Sequence, residues 1–207
     1  MNVFVETNFV IEVALEQQEA ASCEAFLHLA NTNAIRLSVP AYSFIEPHEM
    51  LTRRHLDRES LRSRVSNELA QLARSTPLTE RVAASQEIVK LMVDSVEYER
   101  KRISEVKERL WSIGEVLPLD AAVLQSAVEC QNKFDLSPQD AVVYASIRAK
   151  LVVDHAATSC FVSRNPGDFD DPDLRQDLAA LNCKYFSSFD TALQYVRHSL
   201  GLTPTVS

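Results

Sequence analysis

MNVFVETNFV, residues 1–10, is the stretch that decides the fold. Val3, Phe4 and Val5 make an unbroken apolar run of strand-forming residues, the pattern of a strand buried on both faces of a parallel sheet. The run stops on a carboxylate, Glu6. Thr7 and Asn8 supply a polar break, and a helix is predicted from Phe9 to about Leu15. A strand that ends on an acid and turns directly into a helix is the opening of an α/β unit.

The rest of the chain repeats this alternation. Residues 18–31 (QEAASCEAFLHLAN) read as an amphipathic helix, and IRLSVP at 35–40 as a strand stopped by Pro40. A helix beginning near Ser43 carries Glu46 and Glu49. From about 50 to 112 the chain is charged and helical in period, divided by Pro77 into two arms. This insert is expected to pack on the same domain as a helical hairpin, with a protruding arm as the other arrangement. Val116 to Pro118 is a short strand or link, and Asp120 caps a helix running through Ala127 to Lys133. In LSPQDAVVYASI, Ser137 is a natural N-cap, Pro138 suits the first helical position and Asp140 the third. A strand over 158–163 leads into the polar loop RNPGDFDDPD, then a strand over 183–188 and a helix from Phe189 to Leu200. Strands separated by helices predict a three-layer α/β fold, a parallel twisted sheet flanked by helices. One domain over 1–200 includes the insert at about 50–112, and 201–207 form a tail.

Composition removes several functions. With 207 residues, 46% of them hydrophobic, the chain can bury a sizeable core. Its three glycines, Gly114, Gly167 and Gly201, are too scattered for a phosphate-cradling loop of the P-loop or dinucleotide type. A net charge of −8 opposes a generally basic nucleic-acid coat, though not a local basic strip. Cys23, Cys130, Cys160 and Cys183 have neither zinc spacing nor a disulfide framework, and read as reduced, mostly buried thiols. His28, His48, His55, His155 and His198 show no metal-ligand spacing. The first residues lack a basic leader and no apolar run reaches membrane-spanning length, so a cytoplasmic protein without membrane association is expected.

Four carboxylates stand where strands give way to helices or loops: Glu6, Glu46 in FIEPHEM, Asp140, and Asp168 in SRNPGDF. In an open α/β sheet the carboxyl ends of the strands and the nearby helix N-termini form the ligand crevice. Acids gathered there repel one another unless protons or a cation compensate, and Mg²⁺ or Mn²⁺ suits oxygen ligands. Each acid also has an ordinary reading. Asp140 favours a first helical turn by itself, through the helix dipole. Glu49 competes with Glu46, and Asp170, Asp171 and Asp173 compete with Asp168. An Asp-x-Asp phosphatase is disfavoured because the first strand ends on Glu6-Thr7-Asn8. The arginines of RRHLDRESLRSR and the basic group at Arg100, Lys101, Arg102, Lys107 and Arg109 are interleaved with acids, the pattern of solvated helices laced with ion pairs. Arg164 is the better phosphate-contact candidate, and Trp111 reads as a packing anchor before a base-stacking platform.

The order strand–acid–Thr–Asn, a Glu after the second strand, an Asp opening a Ser-Pro-x-Asp helix, and then S-x-N-x-x-D-F resembles the PIN-domain ribonuclease family, which includes VapC-like toxins. The resemblance runs from Val3 to about Val196 and is strongest in DAVVYASI and SRNPGDF. It implies divalent-metal-dependent cleavage of RNA, with Mg²⁺ or Mn²⁺ held by Glu6, Glu46, Asp140 and Asp168. Thr7, Asn8, Ser163, Arg164 and Asn165 are then candidate substrate-binding residues around the acids. An antitoxin or other protein regulator and a homodimer are the partners implied. The departure is Glu6, where the family usually has Asp: one extra methylene displaces a ligand that Mg²⁺ would hold in near-ideal octahedral geometry. That departure keeps a second reading open, a catalytically silent PIN-like module that binds RNA or protein.

Overall fold

The computed structural model describes residues 1–154 and 157–202. His155, and residues 203–207 of the expected tail, lie outside the described residues. The order is β1 (Asn2–Val5), α1 (Thr7–Ala14), α2 (Ala20–Asn31), β2 (Arg36–Pro40), a 3-10 turn over Ala41–Phe44, α3 (Glu46–Leu72), a second 3-10 turn over Thr76–Leu78, α4 (Thr79–Ile113) and β3 (Glu115–Leu117). It continues with α5 (Ala121–Phe134), α6 (Pro138–Val153), β4 (Ser159–Val162), α7 (Pro166–Phe169), α8 (Pro172–Ala180), β5 (Cys183–Phe186) and α9 (Phe189–Ser199).

All strand pairs are parallel, in the order β3-β2-β1-β4-β5. β1 is central, and Val3, Phe4 and Val5 are fully buried, as the apolar run predicts. Side chains alternate across a strand, so the two faces fill from alternate residues. Val3, Val5, Cys160 and Val162 join α1, α2, α9 and the roots of α3 and α4 in one core. Phe4 and Phe161 join α5, α6 and α8 in the other. The three-layer α/β architecture follows. All four cysteines are free and buried.

The strand order reverses beside β1: β2 pairs on one side, and the chain crosses to β4 on the other. Such a switch point opens a crevice outside the carboxyl ends of the strands. Glu6 follows β1 there, and Ser163 follows β4.

One feature departs from the sequence reading, and one that it left open is decided. The polar loop after β4 is partly helical, because Asp171 caps α8 by accepting from the backbone N–H groups of Asp173 and Leu174, at 2.8 and 3.2 Å. The insert is a hairpin of α3 and α4 rooted in the core by Leu51, Ile103, Val106 and Leu110. Beyond that root, Leu56, Leu61, Ile88 and Leu91 are exposed, so the far part stands out as an arm. From Leu51 to Leu72 the arm extends roughly 30 Å. Gly114 ends α4 at a close approach: a Cβ there would meet the Leu110 carbonyl oxygen at 2.8 Å.

Candidate metal and phosphodiester site

Glu6 has two roles. As N-cap of α1 it accepts the Asn8 backbone N–H through Oε2 at 2.9 Å, satisfying a donor that a helix start leaves free. The side chain is buried, and its other oxygen, Oε1, has no hydrogen-bond partner. Burial pushes its pKa up to about 7; the Asn8 backbone N–H and the nearby Ser163 hydroxyl oppose the shift, and Glu46 adds to it. The Ser163 hydroxyl stands near enough to act on this carboxyl, but no bond of acceptable geometry reaches Oε1, so that atom counts as unpartnered.

The next three acids arrive on different elements, each held by a local donor. Glu46 opens α3 and accepts the Thr7 hydroxyl. Its pKa is raised by burial and then by Asp140 and Glu49. Asp140 lies in the first turn of α6, where Ser137 accepts its backbone N–H at 3.2 Å and donates its hydroxyl to the carboxylate. Burial raises the Asp140 pKa, Ser137 lowers it, and Asp168 raises it further. Asp168 sits in the short α7 and accepts the Asn165 side-chain amide. Asn165 is itself positioned by its backbone N–H, which donates to the buried Ser163 Oγ at 3.1 Å.

Glu6, Thr7, Asn8, Glu46, Asp140 and Asn165 line one cleft of about 360 Å³. Asp168 is outside that lining and joins through Asn165 and its repulsion of Asp140. Glu46 and its competitor Glu49, one turn apart, both line the cleft. Arg164 goes elsewhere: its guanidinium pairs with Glu12, whose side chain is 2% exposed. Residues that sequence reasoning left out are Tyr42, Gln139 and, as a cleft residue, Arg53. Tyr42 and Gln139 could have been found from position, since one follows β2 and the other opens α6. Arg53 shares a face of α3 with Glu46, Glu49 and Met50, three and four residues apart. Four carboxylates thus face one guanidinium in the cleft.

Every donor of this acid set is an oxygen, and the pKa of three acids is raised, which suits a hard divalent cation. The oxygens do not yet point at a common centre. Among the described residues, no three His, Cys, Asp or Glu side chains stand close enough together to hold a metal ion. Thr7, Ser137, Asn165 and the Asn8 N–H occupy the carboxylates instead.

No protein-family model matches the chain, and no curated protein matches it. Among solved structures it is similar to VapBC2 from Rickettsia felis bound to a DNA fragment from their promoter. The identity is 10% and the TM-score 0.46, over 90% of this chain and 99% of the other. At that score the likeness decides neither fold nor function; the fold is read from the sheet described above.

Proposed function

We propose that this protein is a divalent-metal-dependent nuclease of the PIN type, hydrolysing phosphodiester bonds in single-stranded RNA from the cleft beyond β1 and β4. The observation that carries this reading is the meeting of Glu6, Glu46 and Asp140 in one cleft, with Glu49 beside them. These acids come from distant parts of the chain and appear in the order that the family resemblance requires. Mg²⁺ or Mn²⁺ suits the oxygen donors in kind; Glu6, Glu46 and Asp140 would hold it once drawn together from their present partners, with Asp168 at the margin. A bound ion supplies positive charge against phosphate oxygens and makes water more acidic at neutral pH.

The chain's own groups set up this chemistry. Thr7, Ser137 and Asn165 each fix the carboxylate they touch. Arg53 offers a guanidinium at the mouth, where it suits a phosphate. Glu6 would have to release its proton to hold a cation, so affinity for the ion would rise as pH climbs through about 7. The proposal extends to an antitoxin-like protein regulator, a homodimer and a cytoplasmic setting. Among the described residues no helix is long and apolar enough to cross a membrane.

A silent binding module is the second reading, favoured by acids already occupied with local donors and not converging on one point. Incubation with single-stranded RNA in Mg²⁺ or Mn²⁺, with and without EDTA, separates the two. The nuclease reading expects metal-dependent cleavage that Asp140→Asn abolishes while binding persists. Cleavage unchanged in Asp140→Asn removes the site, and RNA binding without cleavage in either metal establishes the silent module.

A further inference from the structure

Trp111 is the one tryptophan of the chain, and it is 57% exposed near the end of α4. It lies flat against Phe44, with centroids 5.3 Å apart and planes 6° from parallel. The expected packing anchor is therefore a supported indole that leaves more than half of its surface open. Lys107, one turn earlier, has its Nζ 5.8 Å from the indole centroid. Only 8% of Lys107 is exposed, and no carboxylate offsets the burial that lowers its pKa. Arg100, Ser104, Lys107 and Trp111 recur at i, i+4, i+7 and i+11, which places them along one face of α4. From α3, His48 feels both Lys107 and Arg100, which add to burial in lowering its pKa. An exposed aromatic beside two cations that pair with no carboxylate among the described residues is notable in a chain of net charge −8.

This face and the acidic cleft are joined through one short stretch of chain. Phe44, beneath Trp111, and Glu46, in the cleft, are separated only by Ile45, which is itself 54% exposed.

We propose that this face of the hairpin root binds the substrate strand as it leaves the cleft, with one unpaired base stacked on Trp111 and a neighbouring phosphate at Lys107 and Arg100. The ligand is a single-stranded nucleic acid, an identity that rests on the nuclease reading above. Stacking on an aromatic side chain accepts any base, whereas a duplex keeps its base faces covered. A phosphate meets cations that have no acid to leave.

The indole reports on its own site. Asp140→Asn protein in Mg²⁺ is titrated with single-stranded RNA and DNA of about 12 nucleotides, and with the matching duplexes, while Trp111 fluorescence is followed. Saturable quenching by single strands and none by duplex is expected, and the two single-strand arms tell RNA from DNA. By anisotropy of a labelled strand, Trp111→Ala weakens binding on the order of tenfold, and Trp111→Phe keeps most of it. Lys107→Gln weakens binding and flattens its salt dependence. The inference is overturned if single strands do not bind, if they bind without changing the fluorescence, or if Trp111→Ala and Lys107→Gln bind as the parent does. A fluorescence change that only a protein partner produces also overturns it. Quenching by strands that the parent chain never cleaves contradicts the nuclease reading alone; cleavage without quenching contradicts this inference alone.

Discussion

Glu6 combines a helix cap, a buried acid and an oxygen with no partner. Its pKa of about 7 stands above the ordinary 4.5, so the folded chain holds this proton more tightly than the unfolded chain does. Below 4.5 both states are protonated and nothing changes. Between 4.5 and about 7 only the folded state keeps the proton, so stability falls as pH rises, and above 7 the full cost is present. At 1.36 kcal/mol for each unit of pKa difference, the loss amounts to at most roughly 3 kcal/mol. Urea unfolding in EDTA is expected to show that loss between pH 5 and 8 in the parent and a smaller one for Glu6→Gln, in which Glu46 and Asp140 still carry raised pKa values; parallel curves would place the titration elsewhere. Mn²⁺ tolerates an irregular oxygen shell better than Mg²⁺ does. Cleavage should therefore run faster in Mn²⁺, and Glu6→Asp should narrow the difference between the two metals. Arg164 pairs with the buried Glu12 and stands outside the cleft lining, which assigns it to stability as an expectation. Its removal leaves the buried Glu12 with the Glu19 backbone N–H, at 3.0 Å, in place of a guanidinium, so Arg164→Ala should cost roughly 2–4 kcal/mol, measured by denaturation. A normal stability with a raised KM for RNA would return Arg164 to the phosphate role.

At the scale of elements, α6 shows structure and site sharing the same atoms. Ser137 accepts the Asp140 N–H and donates to its carboxylate. Ser137→Ala should cost about 1 kcal/mol through the lost cap, and it should also weaken metal-dependent cleavage by freeing the acid. Asp140→Asn should keep the fold at least as stable, because it removes one of several repelling charges. A Ser137→Ala protein with wild-type stability would mean that the cap is not formed. Much of this was legible beforehand: β1 announced itself as an unbroken apolar run, and Ser137-Pro138 marked the start of α6. The cleft acids could be named because strand ends and helix starts are readable locally. What escaped were features decided by distant partners. Arg164 looked free until the fold brought Glu12 to it, 152 residues away in sequence. The helix α8 hid in a run of aspartates, although Asp171-Pro172 and the Leu174 and Leu178 spacing carry its signal. Trp111 looked like core because periodicity cannot show that the root of a hairpin leaves one face uncovered.

Over the whole molecule, the sheet order decides where chemistry can occur, and the charge decides what it needs. β1 lies between strands reached in opposite directions, so the ends of β1 and β4 open onto one crevice. A chain of net charge −8 places four carboxylates in that crevice and then has to receive a polyanion. Coulomb repulsion makes this unfavourable unless a cation stands between them. The arm of α3 and α4 carries cations at its root, on the helix pair that also delivers Glu46 and Glu49 to the crevice. The central claim is that the acids share a divalent ion, and crystals soaked in Mn²⁺ near pH 8 test it most directly through anomalous scattering. The account predicts a peak in the cleft within coordination distance of Glu6, Glu46 and Asp140, lost in Asp140→Asn. A cleft without a peak at millimolar Mn²⁺, or a peak that survives Asp140→Asn unchanged, would contradict it.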